Sequence, residues 1–365
     1  MPQLAFYRKY RPKTFSEAIN QKLTIQILTN AIKGNKISHA YLFAGPRGTG
    51  KTTFARLFAK AINCEKRKEG EYEPCNQCSS CSDINENRSL DLIEIDAASN
   101  RGIDEIRNLR EGIKFAPVKS KYKVYIVDEA HQITKDAFNA LLKTLEEPPA
   151  YAIFILATTE PEKLPATILS RVQRYDFKKL SLEDTIKRLA WISQQEKLEV
   201  TDEALRMIAL SSEGGLRDAE SLLGQLAIIK NGKIILEDVE LLLGSVNFQK
   251  IRVFIDFLIE KNAAEAIRFI NQLNEEGYNL MELSKGIINY LRYLLIIKVS
   301  GSLIEMLKQE VTDEEAEILK KQAEKVKVED LRRYLDKFLE QQYYINRSLI
   351  PVLPLELAIV ESLQL

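Results

Sequence analysis

The eight residues "GPRGTGKT", Gly45 to Thr52, constrain this chain more than any other stretch, because they match the phosphate-loop pattern G-x-x-x-x-G-K-[ST] in full. Glycines let the backbone curl so that successive N–H groups point at phosphate oxygens. The flanks agree. "HAYLFAG" reads as a short apolar strand entering the loop, and "KTTFARLFAKAIN" as an amphipathic helix leaving it, with Phe54, Leu57, Phe58 and Ala61 on one face. The helix start adds its positive dipole end. In such a loop Lys51 reaches the β- and γ-phosphates and Thr52 coordinates Mg²⁺. Gly45, Pro46, Arg47, Gly48, Thr49, Gly50 and Thr53 complete the candidate cradle.

"LDLIEIDA", "YKVYIVDEA" and "YAIFILATT" read as further strands, separated by the helices "IDEIRNLREGIKFA" and "KDAFNALLKTLEE", the second stopped by Pro148 and Pro149. Near-continuous apolar strands alternating with helices predict an α/β domain with a mainly parallel sheet covered on both faces. "VYIVDEAH" places Asp128 at a strand end, where it holds Mg²⁺ through water, and Glu129 next to it, where it polarises the attacking water. A surface carboxylate opening the next helix is the alternative for Glu129. His131 reads as a plain helix residue rather than a nucleotide sensor. "ATTEP" sets Thr158 and Thr159 at the end of another strand, where ligands of open α/β sheets bind. Thr159 is the candidate contact to the γ-phosphate or the attacking water; a threonine satisfying a turn is the alternative.

At 365 residues the chain exceeds one ordinary core. Strand signals fade after residue 178. Residues 179–242 read as short helices broken near Gly214–Gly215 and Asn231–Gly232, and 243–365 as almost wholly helical. The expectation is three domains: α/β over 1–178, a small helical domain over 179–242, and a larger helical domain over 243–365. No apolar run reaches the roughly 18 residues of a membrane span, and "MPQLAFYRKYRPKTF" lacks the apolar core of a signal peptide. A cytoplasmic location follows as an expectation. Thiols stay reduced there, and clustered cysteines more often hold metal than form disulfides. All four cysteines fall within 64–81. Formal charge is zero overall, yet residues 1–60 carry eleven Lys/Arg against one acid. A neutral total leaves room for nucleic acid, because binding depends on local fields.

Further motifs carry a resemblance. "YRKYRPKTF", "DAASNRGIDEIR", "NALLKTLEEPP", "ATTEPEKLPATILSR", "TILSRVQRYDF" and "GGLRDAESLL" resemble the AAA+ ATPases of the clamp-loader clade, and closely the gamma/tau subunit family of the bacterial DNA polymerase III clamp loader. The resemblance is strong over residues 4–242 and weaker beyond. It implies a AAA+ P-loop domain, a helical lid, and a helical collar that joins subunits. It makes the cysteine-rich stretch a zinc module with Cys64, Cys75, Cys78 and Cys81 as ligands; four thiolates favour tetrahedral Zn²⁺. Iron–sulfur ligation and unliganded cysteines are the alternatives. The polar "EKRKEGEYEP" between the first two cysteines cannot form a core, so metal would supply its local stability.

The resemblance also assigns roles. Arg171 in "LSRV" becomes an arginine finger that reaches a neighbouring subunit's γ-phosphate; Val172 stands where relatives often have cysteine. Leu216 and Arg217 in "GLRDA" become the second sensor, closing the lid in cis. Tyr7, Arg8, Tyr10, Arg11 and Pro12 match a segment near the adenine, followed by Asn20 where relatives usually have glycine; asparagine also tolerates positive φ. Candidate DNA contacts, to phosphates rather than base edges, are Asn100, Arg101, Arg107 and Lys143, with a helix capped by Asn100 or Asp104 as the alternative. The implied activity is ATP hydrolysis with Mg²⁺, within the DNA polymerase III holoenzyme. The implied partners are delta and delta-prime subunits, further copies of the chain, the beta sliding clamp and primer–template DNA. The longer tau form carries further C-terminal domains, which are not expected here. Competing readings are another AAA+ DNA motor or helicase loader, or a non-hydrolysing delta-prime-like subunit; the intact Lys51, Thr52, Asp128 and Glu129 argue against the last.

Overall fold

The structure, a computed structural model, describes residues 5–99, 102, 109–230, 232–244, 247–303, 307 and 311–364. They group into two compact units: Met1–Lys197 with Ile208–Ile228, and Leu198–Met207 with Ile229–Leu365.

The first unit is built on a parallel sheet. Among the described residues it has five strands, β1 (Ala40–Ala44), β2 (Leu92–Asp96), β3 (Lys123–Asp128), β4 (Ala152–Thr158) and β5 (Gln173–Asp176), in the order β2-β3-β4-β1-β5. Every pairing is parallel, with Ala44 opposite Thr158 and Asp96 opposite Asp128. The C-terminal ends of four strands therefore lie side by side. β1 and β4 are buried along their whole length, as the apolar runs predict for strands covered on both faces. Alternation divides them between two cores. Tyr41 and Phe43 face the helices Lys22–Lys33 and Lys51–Ile62, while Ala40 and Leu42 face the helix Lys135–Glu146. Thr134 caps that last helix by accepting from the Ala137 N–H, and Pro148–Pro149 follow its end. The fifth strand was not expected. Its sequence "QRYD" is polar, and only Tyr175 is buried, as suits the sheet edge.

Beyond the sheet the unit continues with the helices Leu182–Glu196, capped by Ser181, and Leu216–Ile229. Asn20 adopts φ 60°, the left-handed backbone its residue type tolerates.

The second unit is helical: Phe248–Ile259, Ala263–Glu275, Leu280–Val299, Asp313–Lys325, Val328–Gln342 and Leu353–Leu363. Asn247, Asn262, Asn279 and Thr312 each cap the helix they precede with a side-chain oxygen. Leu280–Val299 lies at its core, burying Leu283, Ile287, Tyr290, Leu291 and Leu294 against Phe254, Leu319, Tyr334 and Phe338. No helix among the described residues is long and apolar enough to cross a membrane.

Candidate functional site

The phosphate loop leaves β1 at Gly45 and enters the helix Lys51–Ile62. Gly45, Gly48 and Gly50 take φ of 149°, 76° and 98°, a run of left-handed geometry that L side chains resist. At two of them the space is also closed. A Cβ on Gly45 would sit 2.3 Å from the Phe177 carbonyl oxygen, and one on Gly48 2.9 Å from the Gly215 Cα. Lys51 is buried, and its ammonium donates to the carbonyls of Gly45 (2.7 Å) and Pro46 (2.8 Å). An ammonium has three donors; these bonds fix the head beneath the loop and leave one proton for a phosphate oxygen. Burial lowers the Lys51 ammonium below the ordinary lysine range, and Glu129 and Asp128 pull it back in part.

The sheet brings the acidic partners to this loop. Asp128 ends β3, and the Thr52 hydroxyl donates to its Oδ2 at 2.8 Å. These two oxygens are the ones that would hold a Mg²⁺ ion. Glu129 follows with φ 48°, a left-handed backbone that costs a non-glycine residue roughly 1–2 kcal/mol. Such strain clusters at functional sites. The Thr159 hydroxyl donates to Glu129 Oε2 at 3.2 Å. Thr158, fully buried, instead serves structure: its hydroxyl lies 3.0 Å from His131 Nδ1 and accepts from the Glu160 N–H. His131 has a structural place. It sits in a 3-10 turn, Ala130–Gln132, with its ring enclosed and Nδ1 3.5 Å from Glu129 Oε2. It thereby bridges the ends of β3 and β4.

A cleft of about 350 Å³ opens over these groups. Its phosphate side is formed by Arg47, Gly48, Thr49, Gly50, Lys51, Thr52 and Thr53 with Asp128 and Glu129. Its other side presents Tyr7, Arg11, Pro12, Leu216 and Arg217 among the expected residues. The Arg217 guanidinium stacks 4.8 Å from the Tyr7 ring centroid. Burial alone would raise the Tyr7 phenol, but hydrogen bonds and charge from Arg8 and Arg217 bring it below its ordinary value. Gly45, Pro46 and Thr159 are not among the residues lining the cleft, and two of those expected on its other side lie elsewhere. Arg8 donates to the Tyr7 hydroxyl at 3.1 Å without lining the cleft, and Tyr10 bonds Glu196 at 2.6 Å with its ring edge-on to Trp191.

Sequence reasoning missed Ala18, Ile19, Asp96, Leu180 and Glu220, which also line the cleft. Asp96 had a signal, since it ends a strand beside Asp128. So did Glu220, three residues beyond Arg217 on the same helix face. Burial raises the Glu220 carboxyl to about 7, partly offset by Arg188, whose Nε donates to it at 3.0 Å.

Arg171 is not among the cleft residues. It lies at the end of the helix Ala166–Leu169, donating to the Thr167 carbonyl at 2.7 Å and pairing with Glu146 at 2.6 Å. Lys143 is exposed on Lys135–Glu146. Asn100, Arg101 and Arg107, with Asp104, lie outside the described residues.

The four cysteines converge. Their Sγ atoms all lie within 4.8 Å of one another, none is in a disulfide, and Cys75 and Cys81 are 4.0 Å apart. Four sulfurs about 2.3 Å from one tetrahedral ion would stand roughly 3.8 Å apart, so the spacing fits a single zinc-sized ion. Backbone N–H groups already serve the sulfurs: Cys75 N–H donates to Cys64, Gln77 and Cys78 N–H to Cys75, and Cys81 N–H to Cys78. Burial works to raise the Cys75 thiol, but those N–H donors and its sulfur neighbours bring it down to about 6. Among the described residues the sulfur cluster consists of the four cysteines alone, with Ile84 buried on the helix Ser79–Asn85 that carries Cys81.

Family models described as "DNA polymerase III, delta subunit", "DNA polymerase III clamp loader subunit, ATPase lid domain" and "DNA polymerase III subunits gamma and tau domain III" match residues 20–181, 185–232 and 234–364. DNA polymerase III subunit tau of Bacillus subtilis is 42% identical over all of this chain and 64% of its own length. Subunit tau of Escherichia coli is 38% identical over 80% of this chain and 45% of its own. Subunit gamma of Buchnera aphidicola is 36% identical over 81% of this chain and 80% of its own. The chain thus spans between about half and two thirds of the two tau relatives. Among solved structures, the Thermotoga maritima RuvB Holliday junction branch migration motor aligns with a TM-score of 0.47 and 19% identity, over 69% of this chain and 80% of that one. By its identity to subunit gamma across most of both sequences, the chain belongs to the gamma/tau subunit family of DNA polymerase III.

Proposed function

We propose that this chain is the ATP-hydrolysing motor subunit of the DNA polymerase III clamp loader, which opens the sliding clamp and loads it onto primer–template DNA. The observation that carries the reading is the cleft itself. Lys51 and Thr52, which follow β1, meet Asp128 and Glu129, which follow β3 two places along the sheet, so one cleft holds a phosphate-binding lysine, a Mg²⁺-holding pair and a candidate general base. A non-hydrolysing subunit has no use for that set. Three working parts go with it: an ATPase domain over 1–178, a lid over 179–242 and a collar over 243–365 that joins delta, delta-prime and further copies of the chain. The ranges of the three family models support this division.

In this reading the loop N–H groups and the remaining Lys51 proton bind the β- and γ-phosphates. Thr52 and Asp128 hold Mg²⁺, which when bound neutralises charge on the phosphate oxygens. Glu129, steadied through one oxygen by Thr159, uses the other to take a proton from water as it attacks the γ-phosphorus. The bond to the β–γ bridging oxygen breaks, and ADP and phosphate leave. Arg217 sits where it meets nucleotide charge in cis. Arg171 has no place in its own cleft, which supports its serving a neighbour's. Zinc held by Cys64, Cys75, Cys78 and Cys81 plays a structural part, since four protein ligands leave no open position. DNA is held through its phosphates, with Asn100, Arg101, Arg107 and Lys143 as the proposed contacts. The work of loading comes from differential binding of clamp and DNA by ATP and ADP states.

The test is ATP turnover by assembled loaders in which Arg171→Ala and Glu129→Gln chains are mixed at varied ratios. Each variant alone should bind ATP and turn it over poorly. Mixed rings should regain some DNA- and clamp-stimulated turnover, where a Glu129→Gln chain's Arg171 completes the site of an Arg171→Ala chain. No recovery at any ratio, with mixed rings shown to form, would exclude the trans role.

A further inference from the structure

The cysteine module does not stop at its own sulfurs. Two residues beside Cys75 reach back to the start of the chain. The Glu73 carboxylate accepts from the backbone N–H groups of Phe15 and Ser16, each at 2.8 Å and with a different oxygen. The Asn76 side chain donates to the Lys13 carbonyl at 3.2 Å from a left-handed backbone, φ 55°. Tyr72 packs its ring on Phe15, which is 1% exposed and sits edge-on to Phe54 of the phosphate-loop helix. The module is also tied to the phosphate-loop helix by polar contacts. Buried Lys60 donates to Asn76 (2.7 Å) and Asn85 (2.8 Å).

The segment thus gripped lies between residues that form part of the non-phosphate wall of the cleft. Arg11 and Pro12 precede the clamped Lys13–Ser16 backbone and Ala18 and Ile19 follow it, and all four line the cleft. Tyr72 anchors one end of the grip on the apolar core around Phe15, while Glu73 and Asn76 flank Cys75 in polar sequence, so the sulfur cluster contributes to their placement.

We propose that Glu73 and Asn76 act as positioning residues, through which the metal-held cysteine module sets the wall that receives the nucleoside and so tunes nucleotide affinity. The proposal rests on the cleft's being a nucleotide site. It separates two kinds of ligand. ATP uses wall and loop, whereas inorganic tripolyphosphate uses the loop alone.

The experiment compares ATP and tripolyphosphate affinities by calorimetry, with zinc content measured on the same protein. Glu73→Ala should retain zinc, weaken ATP about tenfold, as expected for loss of one or two charge-assisted hydrogen bonds, and leave tripolyphosphate unchanged. Glu73→Gln keeps one acceptor oxygen and should fall between Glu73→Ala and wild type; it also serves if Glu73→Ala folds poorly. Removing metal should reproduce the Glu73→Ala pattern, and doing so in Glu73→Ala should add little, because both act through one path. Unchanged ATP affinity in zinc-replete Glu73→Ala would overturn the proposal, as would equal weakening of both ligands. Failure of the wild type to bind either ligand, or Lys51→Ala binding both as well as wild type, would instead sink the nucleotide-site reading beneath it.

Discussion

The phosphate loop and the cysteine cluster are both short, recognisable motifs, yet they are held by opposite means. The loop stands on finished architecture. Its strand is wholly buried, its helix buries nine side chains, and Lys51 is bonded to the loop's own carbonyls. The cluster stands on polar sequence, and its apolar content is its cysteines. The first is a site the fold makes and a ligand then enters. The second is a site whose ligand helps make the local fold. Loss of the bound group should therefore cost the loop its function and the cluster its structure.

The largest effect should come from separating chemistry from frame. Glu129→Gln should lower ATP turnover by about 10²–10⁴-fold, the usual range for a lost general base, while ATP affinity and thermal midpoint stay near wild type; steady-state phosphate release checks it. Lys51→Ala should come next, weakening ATP by about 10²-fold or more, as for truncation of a buried charged partner. Its sheet should remain intact by circular dichroism. Unfolding of this variant would break the comparison, because the loop would then depend on its lysine as the cluster does on its metal.

Cys78→Ser tests the other side. The chain should go from about one tightly held zinc to none by elemental analysis, and amide protection in Ser79–Asn85 should fall while β1, β3 and β4 keep theirs. Full protection without metal would show that the polar segment folds unaided. The smallest effect belongs to Glu220. Its folded carboxyl titrates near 7, above the ordinary 4.5, so the folded state holds more protons in that window. The stabilisation is complete below about 4.5 and is lost as pH rises through 7. Glu220→Gln should flatten the fall in stability between pH 5 and 8 by on the order of 1 kcal/mol, read from denaturant midpoints.

What the sequence revealed follows how locally each feature is encoded. The loop is eight consecutive residues, and Asp128–Glu129 end an apolar strand, so both were visible. The cysteines announce themselves by type and spacing. β5 was hidden because an edge strand needs only one buried side chain, and "QRYD" provides Tyr175 alone. The bridging contacts of His131 could not be foreseen, because its ring meets Thr158, brought near by strand pairing. The grip of Glu73 on Phe15 and Ser16 could not be read at all. It joins a side chain to backbone N–H groups more than fifty residues away, and every residue has such a group except proline.

Gly48 and Gly215 touch with nothing between them. A methyl on the first would come within 2.9 Å of the second's Cα, and one on Gly215 would meet the Arg47 carbonyl oxygen at 3.4 Å. The loop and the start of the Leu216–Ile229 helix therefore meet as bare bearing surfaces, without a side chain to cushion them. A swing of that helix has no slack to take up before it pushes on the peptide groups facing the phosphates. A residue larger than glycine at position 48 would act as a wedge in the joint.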